Sequence, residues 1–416
     1  VKGLRLWLRR SSGLVALPAL IVVVLAVVLG RSGWHVEWEW AMSWTSASTI
    51  VLAPIVAGLT AFDVNRRVRP TFLAISATTR RGSWTVLTVA FTMWLYAAVA
   101  WGVATGYGAV RAAMAGAGGT PSPWIFVQAP TALFAAVSFG AMIAVLVPNI
   151  GAGPLAAITA YVLPIVLMPF NLQGLLAAGG ATGSLLGIEP NPPVAIATIT
   201  TNLTLGLVCA GVVLVRTLPR DRVRLAGTGA MAGALVVSAV TLVSFDPFMN
   251  TYRPREITTV CVGQDPEVCG PQEGAVQLRI AQRDLARAHA ALKSEGLDLD
   301  LRTRYELATS TTRPDPGVGL IYMDATQIAH GAMSSWDVAL AVATPTACDD
   351  YFADVPPEDL LDLQRVLVEA IMPVIRGTGA AALPAEDIGT AYAALESCDA
   401  DAAAAIERPA PEPAFP

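Results

Sequence analysis

The stretch Gly13-Leu-Val-Ala-Leu-Pro-Ala-Leu-Ile-Val-Val-Val-Leu-Ala-Val-Val-Leu-Gly30 decides the fold: it carries no charge and lies between Arg9-Arg10 and Arg31. An α-helix rises about 1.5 Å per residue and membrane hydrocarbon is about 30 Å thick, so such a run reads as a membrane span. Outward from it the pattern repeats. Further spans are expected over about Trp44 to Phe62, Trp84 to Tyr107, Trp124 to Val147, a fifth ending near Pro169 and Phe170, Val194 to Val215, and Leu225 to Phe245. Pro148, Asn149, Gly151, Gly153 and Pro154 make a tight turn between the fourth and fifth. Asn171 to Pro193 is too polar and glycine-rich to face lipid, and reads as a re-entrant or interfacial element using Leu172, Leu175, Leu176, Leu185 and Leu186.

Charge orients these spans. Of the fifteen Lys and Arg residues before Asp246, thirteen fall within Lys2 to Arg10, Arg66 to Arg81 and Arg216 to Arg224. The excess of basic residues in cytoplasmic loops places these three clusters on the cytoplasmic side. Arg216, Arg220, Arg222 and Arg224 then force the seventh span outward. From Asp246 onward the balance inverts, with 12 basic against 27 acidic residues, so the tail is extracytoplasmic and acidic. It holds Cys261, Cys269, Cys348 and Cys398, an even number in an oxidising compartment, which favours disulfides. Of the three possible pairings, Cys261 with Cys269 and Cys348 with Cys398 is preferred, because the first pair brackets a short loop containing proline. Cys209 lies in an apolar span and reads as a packing residue.

The tail reads as one α+β domain. Leu278, Ala281, Leu285, Ala288 and Leu292 form one helix face before Gly296. Leu360, Leu363, Leu367, Ile371 and Val374 form a second, and Ala385 to Leu395 a third helix. Gly317 to Met323 and Val338 to Thr344 read as strands from their β-branched content. The end, 409–416, is proline-rich and expected to be disordered. Chemistry is sparse here. His289 and His330 stand apart from any C-x-x-C pair, adjacent Asp349 and Asp350 point apart, and Ser334 and Ser335 meet no evident histidine. The chain contains neither H-E-x-x-H nor G-x-x-x-x-G-K-[ST], so it cannot hydrolyse ATP through a Walker-type site. No enzymatic activity, cofactor or metal is expected.

Two polar stretches flank the spans. In Trp34-His35-Val36-Glu37-Trp38-Glu39-Trp40 the alternation of His35, Glu37 and Glu39 suits a cation only on an extended backbone. The simpler reading is an interfacial segment with tryptophans toward lipid and polar groups toward water. On the other side, Asp63-Val-Asn-Arg66-Arg67-Val-Arg69-Pro70-Thr-Phe72-Leu73-Ala-Ile75-Ser-Ala-Thr-Thr-Arg80-Arg81-Gly82 predicts a short amphipathic helix after Pro70, lying on the cytoplasmic face and suited to docking a soluble partner.

In this arrangement the chain resembles the membrane subunit of an ABC-2 type transporter, in an actinobacterial-like variant. Val1 to Arg10, with Leu4, Leu6, Trp7 and Leu8 among Lys2, Arg5, Arg9 and Arg10, looks like that family's amphipathic segment before the first span. Asp63, Arg66, Arg67, Arg69, Phe72, Leu73, Arg80 and Arg81 look like its ATPase-coupling loop. The resemblance covers about residues 1 to 220, whereas the seventh span and the tail depart from it. It implies a permease subunit of an ATP-driven exporter, relying on a separate ABC ATPase subunit and pairing with a second permease copy or homologue. Its partners would include membrane lipid and exclude nucleic acid. It further implies a multi-pass protein of the bacterial cell membrane with a cytoplasmic N-terminus. The expected organisation is an interfacial helix over 1–12, a six-span domain over 13–220, a seventh span over 225–245 and an extracytoplasmic domain over 246–408. The near absence of ionisable groups within the spans argues against a proton-coupled carrier and favours amphipathic or hydrophobic cargo. A membrane-anchored extracytoplasmic sensor or interaction protein without transport is the alternative.

Overall fold

A computed structural model describes residues 11–67, 82–167, 169, 176, 178–180, 183–217, 251–297, 299, 301–309, 315, 317–345 and 358–398. The chain divides into two compact units, one formed by Val1–Ala115 with Thr120–Arg253, the other by Gly116–Gly119 with Pro254–Pro416. The boundary falls at Arg253, a few residues beyond the expected one at Asp246. The expected interfacial helix over 1–12, save its last two residues, the amphipathic helix after Pro70 and the seventh span lie outside the described residues.

The first unit is helical: α1 (Ser12–Leu29), α2 (Trp38–Ser46), α3 (Ser48–Arg67), α4 (Gly82–Ala115), α5 (Ile125–Leu146), α6 (Ala152–Leu167) and α7 (Pro192–Thr217). Among the described residues five stretches are long and apolar enough to cross a membrane, namely α1, α2 with α3 as one run from Trp38 to Arg67, Thr85–Ala115, α5 and α7. These match the first, second, third, fourth and sixth expected spans. In the place of the fifth, the described residues hold α6, whose 16 residues cover about 24 Å.

Packing in this unit depends on small residues. A Cβ at Gly140 of α5 would come within 2.2 Å of the Ala57 carbonyl oxygen of α3, so those two backbones touch. Gly58 of α3 meets Gly153 and Ala157 of α6 in the same way. Close backbone approach through Gly and Ala is how apolar helices associate where there is no hydrophobic gain between them. Buried hydroxyls turn back onto their own helices, as Thr60 does to Val56 O (2.6 Å), Thr92 to Val89 O (2.9 Å) and Thr198 to Val194 O (3.0 Å). Each polar group is thereby satisfied without water. Leu20, Val24 and Val28 form the buried stripe of α1, while Leu14, Val15, Val22 and Leu29 stay exposed on faces suited to lipid.

The second unit mixes sheet and helix. β3 (Thr259–Val262), β4 (Glu267–Pro271), β5 (Arg304–Leu307) and β6 (Gly319–Ile321) form its sheet in that order, whereas β1 (Ile188–Pro190) of the first unit pairs separately with β2 (Tyr252–Pro254). β3 and β4 are antiparallel, and β5 and β6 continue parallel. The helices are α8 (Ala275–Ser294), α9 (Ala325–His330), α10 (Ser335–Ala343), α11 (Glu358–Arg376) and α12 (Ala385–Glu396). α8 makes the crossover between parallel β4 and β5, burying the expected face of Leu278, Ala281, Leu285, Ala288 and Leu292. Gly296, at φ +73°, ends it, and the Leu297 amide returns to Leu292 O. Tyr305 is fully buried opposite Gly319, where any side chain would strike its ring.

One expected strand is a helix. Val338 to Thr344 falls in α10 and its C-cap because Ser334 caps the N-terminus, accepting from the Asp337 amide at 3.1 Å. The Ser-x-x-Asp spacing before an apolar run is a helix-start signal that outweighs the β-branched content of Val338 and Val342. β6, α8, α11 and α12 lie where the sequence places them, whereas β3, β4 and β5 are additions.

Candidate functional site

The last turn of α3 holds Asp63, Asn65, Arg66 and Arg67, which joins three elements of the first unit. Asp63 is fully enclosed. A carboxylate near a helix C-terminus is disfavoured by that helix's dipole, so it needs positive partners. Arg67, one turn on, donates from Nε at 2.9 Å. The other carboxylate oxygen accepts from Ser11 Oγ and the Ser12 amide, each at 3.4 Å. It thus sits at the N-terminus of α1, where backbone amides favour an anion. Ser11 also caps α1 by accepting from the Gly13 amide at 3.1 Å.

Asn65 serves the other side. Its Nδ2 donates to Asn149 O at 2.8 Å and to Val147 O at 3.4 Å, in the turn between α5 and α6. Asn149 tightens that turn by accepting from the Gly151 amide at 2.8 Å. The end of α3 is therefore bonded to the start of α1 and to the α5 to α6 turn, immediately before residues 68–81. Of the residues expected in the coupling loop, Asp63 and Arg67 pair with each other, and Arg66 is exposed. Arg69, Phe72, Leu73, Arg80 and Arg81 lie outside the described residues. Sequence reading did not single out Ser11 or Asn65; the signal available for Ser11 was a hydroxyl immediately before the apolar run, the position of an N-cap.

At the opposite end of the same helices the tryptophan segment differs from expectation. It is a 3-10 turn (Trp34–Val36) leading into α2, and Trp34 and Trp40 are buried within the protein. The Trp34 and Trp44 indoles donate to Arg31 O (3.0 Å) and Val28 O (3.1 Å), and the Arg31 guanidinium lies over the Trp40 and Trp44 rings at 5.9 and 5.3 Å. These contacts fold the end of α1 onto α2, and Trp40, at least, takes a core position where a headgroup position was expected. His35, Glu37 and Glu39 separate: His35 meets the Trp34 ring edge-on, Glu37 accepts from Ser184 and Leu185, and Glu39 accepts from the Ser122 amide. The turn disperses the three groups and leaves no shared cation site for them. Glu37 is 2% exposed, contrary to the expected water-facing position.

In the second unit Cys261 and Cys269 lie opposite each other on β3 and β4 and are joined by a disulfide, as expected. Glu267 approaches both sulfurs, but the disulfide leaves no thiolate for a metal. Cys398 is also disulfide-bonded, while its expected partner Cys348, like Asp349 and Asp350, lies outside the described residues. Cys209 is a buried free thiol in α7. His289 shares a hydrogen bond of 3.0 Å with the Tyr305 hydroxyl, and Ser334 is committed to capping α10, so neither completes a nucleophilic triad with the other.

The principal polar centres of this unit are ion-paired. Burial alone would raise the Asp284 carboxyl, but hydrogen bonds from Arg283, the Met333 amide and Arg287 hold it below the ordinary carboxylate range. Arg302, 6% exposed, donates to Val342 O (3.0 Å), Thr344 O (2.6 Å) and Glu396. Those two carbonyls stand at the C-terminus of α10, where a cation is favoured. Sequence reading missed Arg302 because its partners lie 40 to 94 positions away. No family model, curated protein or solved structure matches the chain.

Proposed function

We propose that the chain is the membrane-spanning permease subunit of an ABC-2 type exporter, driven by a separate ATPase subunit and working beside a second permease copy or homologue in a bacterial cell membrane. The observation that carries this reading is the bonded end of α3. Residues 68–81, the segment that would receive the ATPase, follow directly on a helix end tied to α1 through Asp63 and to the α5 to α6 turn through Asn65. A push on that segment would reach three membrane elements at once, as a coupling element requires. The exposed apolar faces of α1 and α6, and the scarcity of ionisable groups deep in the helices, suit a hydrophobic or amphipathic cargo. The N-terminus would be cytoplasmic and the second unit extracytoplasmic.

The test separates hydrolysis from transport. Asn65→Ala, whose side chain is only partly buried, is expected to leave ATPase binding and ATP hydrolysis intact while lowering ATP-driven export several-fold. Unchanged export would remove the supporting role assigned to the α3 end. The second reading is a membrane-anchored sensor or interaction protein, favoured by the independent core of the second unit, built on Leu278, Leu285, Leu320, Leu367 and Ile388. Dispensability of residues 63–81, with loss of the cellular phenotype when the second unit is deleted, would favour it.

A further inference from the structure

A buried carboxylate needs a reason, and that of Glu37 is a short segment of the chain far away in sequence. Glu37 occupies the N-cap position of α2, yet its side chain does not cap that helix. Instead Oε1 accepts from the Ser184 hydroxyl at 2.6 Å and Oε2 from the Leu185 amide at 2.9 Å. The positive end of the α2 dipole adds to these donors, and residues 184–185 contribute to keeping the buried charge satisfied. Further along α2, the Ser43 carbonyl accepts from the Gly180 amide at 3.0 Å. Under this grip Leu185 and Leu186 are buried, while Gly183 and Ser184 are exposed.

The other side of the same segment is held by the last residues of the first unit. β1 pairs with β2, the Asn191 amide donates to Thr251 O at 2.9 Å, and Arg253 Nε donates to Glu189 at 2.7 Å. The Tyr252 hydroxyl in turn shares a hydrogen bond of 3.3 Å with Ser43 Oγ on α2. Residues 183–191 are therefore clasped between α2 and 251–253, and 251–253 is the chain from which the second unit departs.

We propose that residues 183–191 form a lid over the Trp-bearing end of the first unit, latched by Glu37 and released through the clasp of Tyr252 and Arg253. The placement of this lid on the extracytoplasmic side rests on the permease reading; the latch itself does not. Pulling on 251–253 removes the support of β1 first and leaves Glu37 facing donors no longer held in register.

The test uses the full chain in membranes and reads thiol modification at Leu186→Cys by a membrane-impermeant maleimide, with the unsubstituted chain as blank and Gly183→Cys as the exposed reference. In closed cells Leu186→Cys is expected to react much more slowly than Gly183→Cys. Arg253→Glu at an exposed position and Glu189→Arg at a half-exposed one should each accelerate it by about two- to fivefold. The double exchange should bring the rate back toward the parent. Glu37→Ala should accelerate it by about tenfold or more. A rate at Leu186→Cys equal to that at Gly183→Cys, or effects of Arg253→Glu and Glu189→Arg that add without restoration, overturns the lid. Reaction of Gly183→Cys only after permeabilisation overturns the orientation instead, and the same comparisons made in opened membranes then still decide the latch.

Discussion

The two units of this chain solve the burial of polar groups in opposite ways. In the first, hydroxyls of Thr60, Thr92 and Thr198 bond within their own helices, and backbones meet through Gly140 and Gly58. In the second, long-range pairs cross between elements, with Asp284 reaching the Met333 amide and Arg302 reaching α10 and Glu396. The difference follows from solvent. Helices long and apolar enough for lipid satisfy their polar groups locally, whereas a mixed sheet-and-helix unit can join its elements by side chains around an apolar core. The end of α3 and the Glu37 end of α2 depart from this in the first unit, since Asp63, Asn65 and Glu37 make cross-element bonds of the second unit's kind.

The largest expected break in this contrast is Arg302→Ala, which strips two carbonyls at the end of α10 and the Glu396 carboxylate of their donor. A loss of about 3 to 5 kcal/mol is expected in the urea unfolding of the second unit, measured in the full chain. A change below about 1 kcal/mol would mean that water replaces the guanidinium. Next comes Gly140→Ala, where the added carbon meets the Ala57 carbonyl; it should destabilise the first unit by about 1 to 3 kcal/mol. Gly102→Ala in α4, with nothing within 4 Å, should be neutral or stabilising by up to about 1 kcal/mol in the same detergent unfolding assay. Equal effects at the two glycines would refute the close α3 to α5 contact.

The smallest expected effect is a pH response of the second unit. Burial, opposed in part by Asp265, holds the His289 imidazole below its ordinary value of 6.5. The unfolded chain therefore binds the proton first, so this contribution is fully present above pH 6.5 and lost as pH falls through the lower folded value. Asp284, held below 3.8, contributes above that value and loses its contribution only in stronger acid. Hydrogen-exchange protection of α8 amides, corrected for intrinsic pH dependence, should fall between pH 7 and 5, and His289→Gln should flatten that fall.

How much of this was legible in the sequence differs between the units for the same physical reason. The runs at α1, α3, α4, α5 and α7 announce themselves because a span needs about twenty apolar residues and little else imitates that. The tryptophan segment misled because composition alone cannot distinguish a tryptophan at a headgroup from one, such as Trp40, packed under Arg31. In the second unit α8 and α11 were readable from periodicity, since their apolar stripes repeat over three or more turns. α10 was not, because Val338 to Thr344 is short enough for β-branched content to outweigh a cap that begins at Ser334. Among the coupling residues, Asp63 was recognisable as an acid at a span end, but its attachment to Ser11, 52 positions earlier, belongs to the tertiary fold.

The most direct measurement is purification of the full-length chain from its native membranes in mild detergent, followed by identification of what stays bound and assay of ATP hydrolysis. The permease account predicts a Walker-motif ATPase without membrane spans of its own, bound to the chain and released or weakened by charge reversal at exposed Arg66. A chain that purifies without any bound ATPase, and whose cellular role persists when Arg66 is reversed, would contradict it.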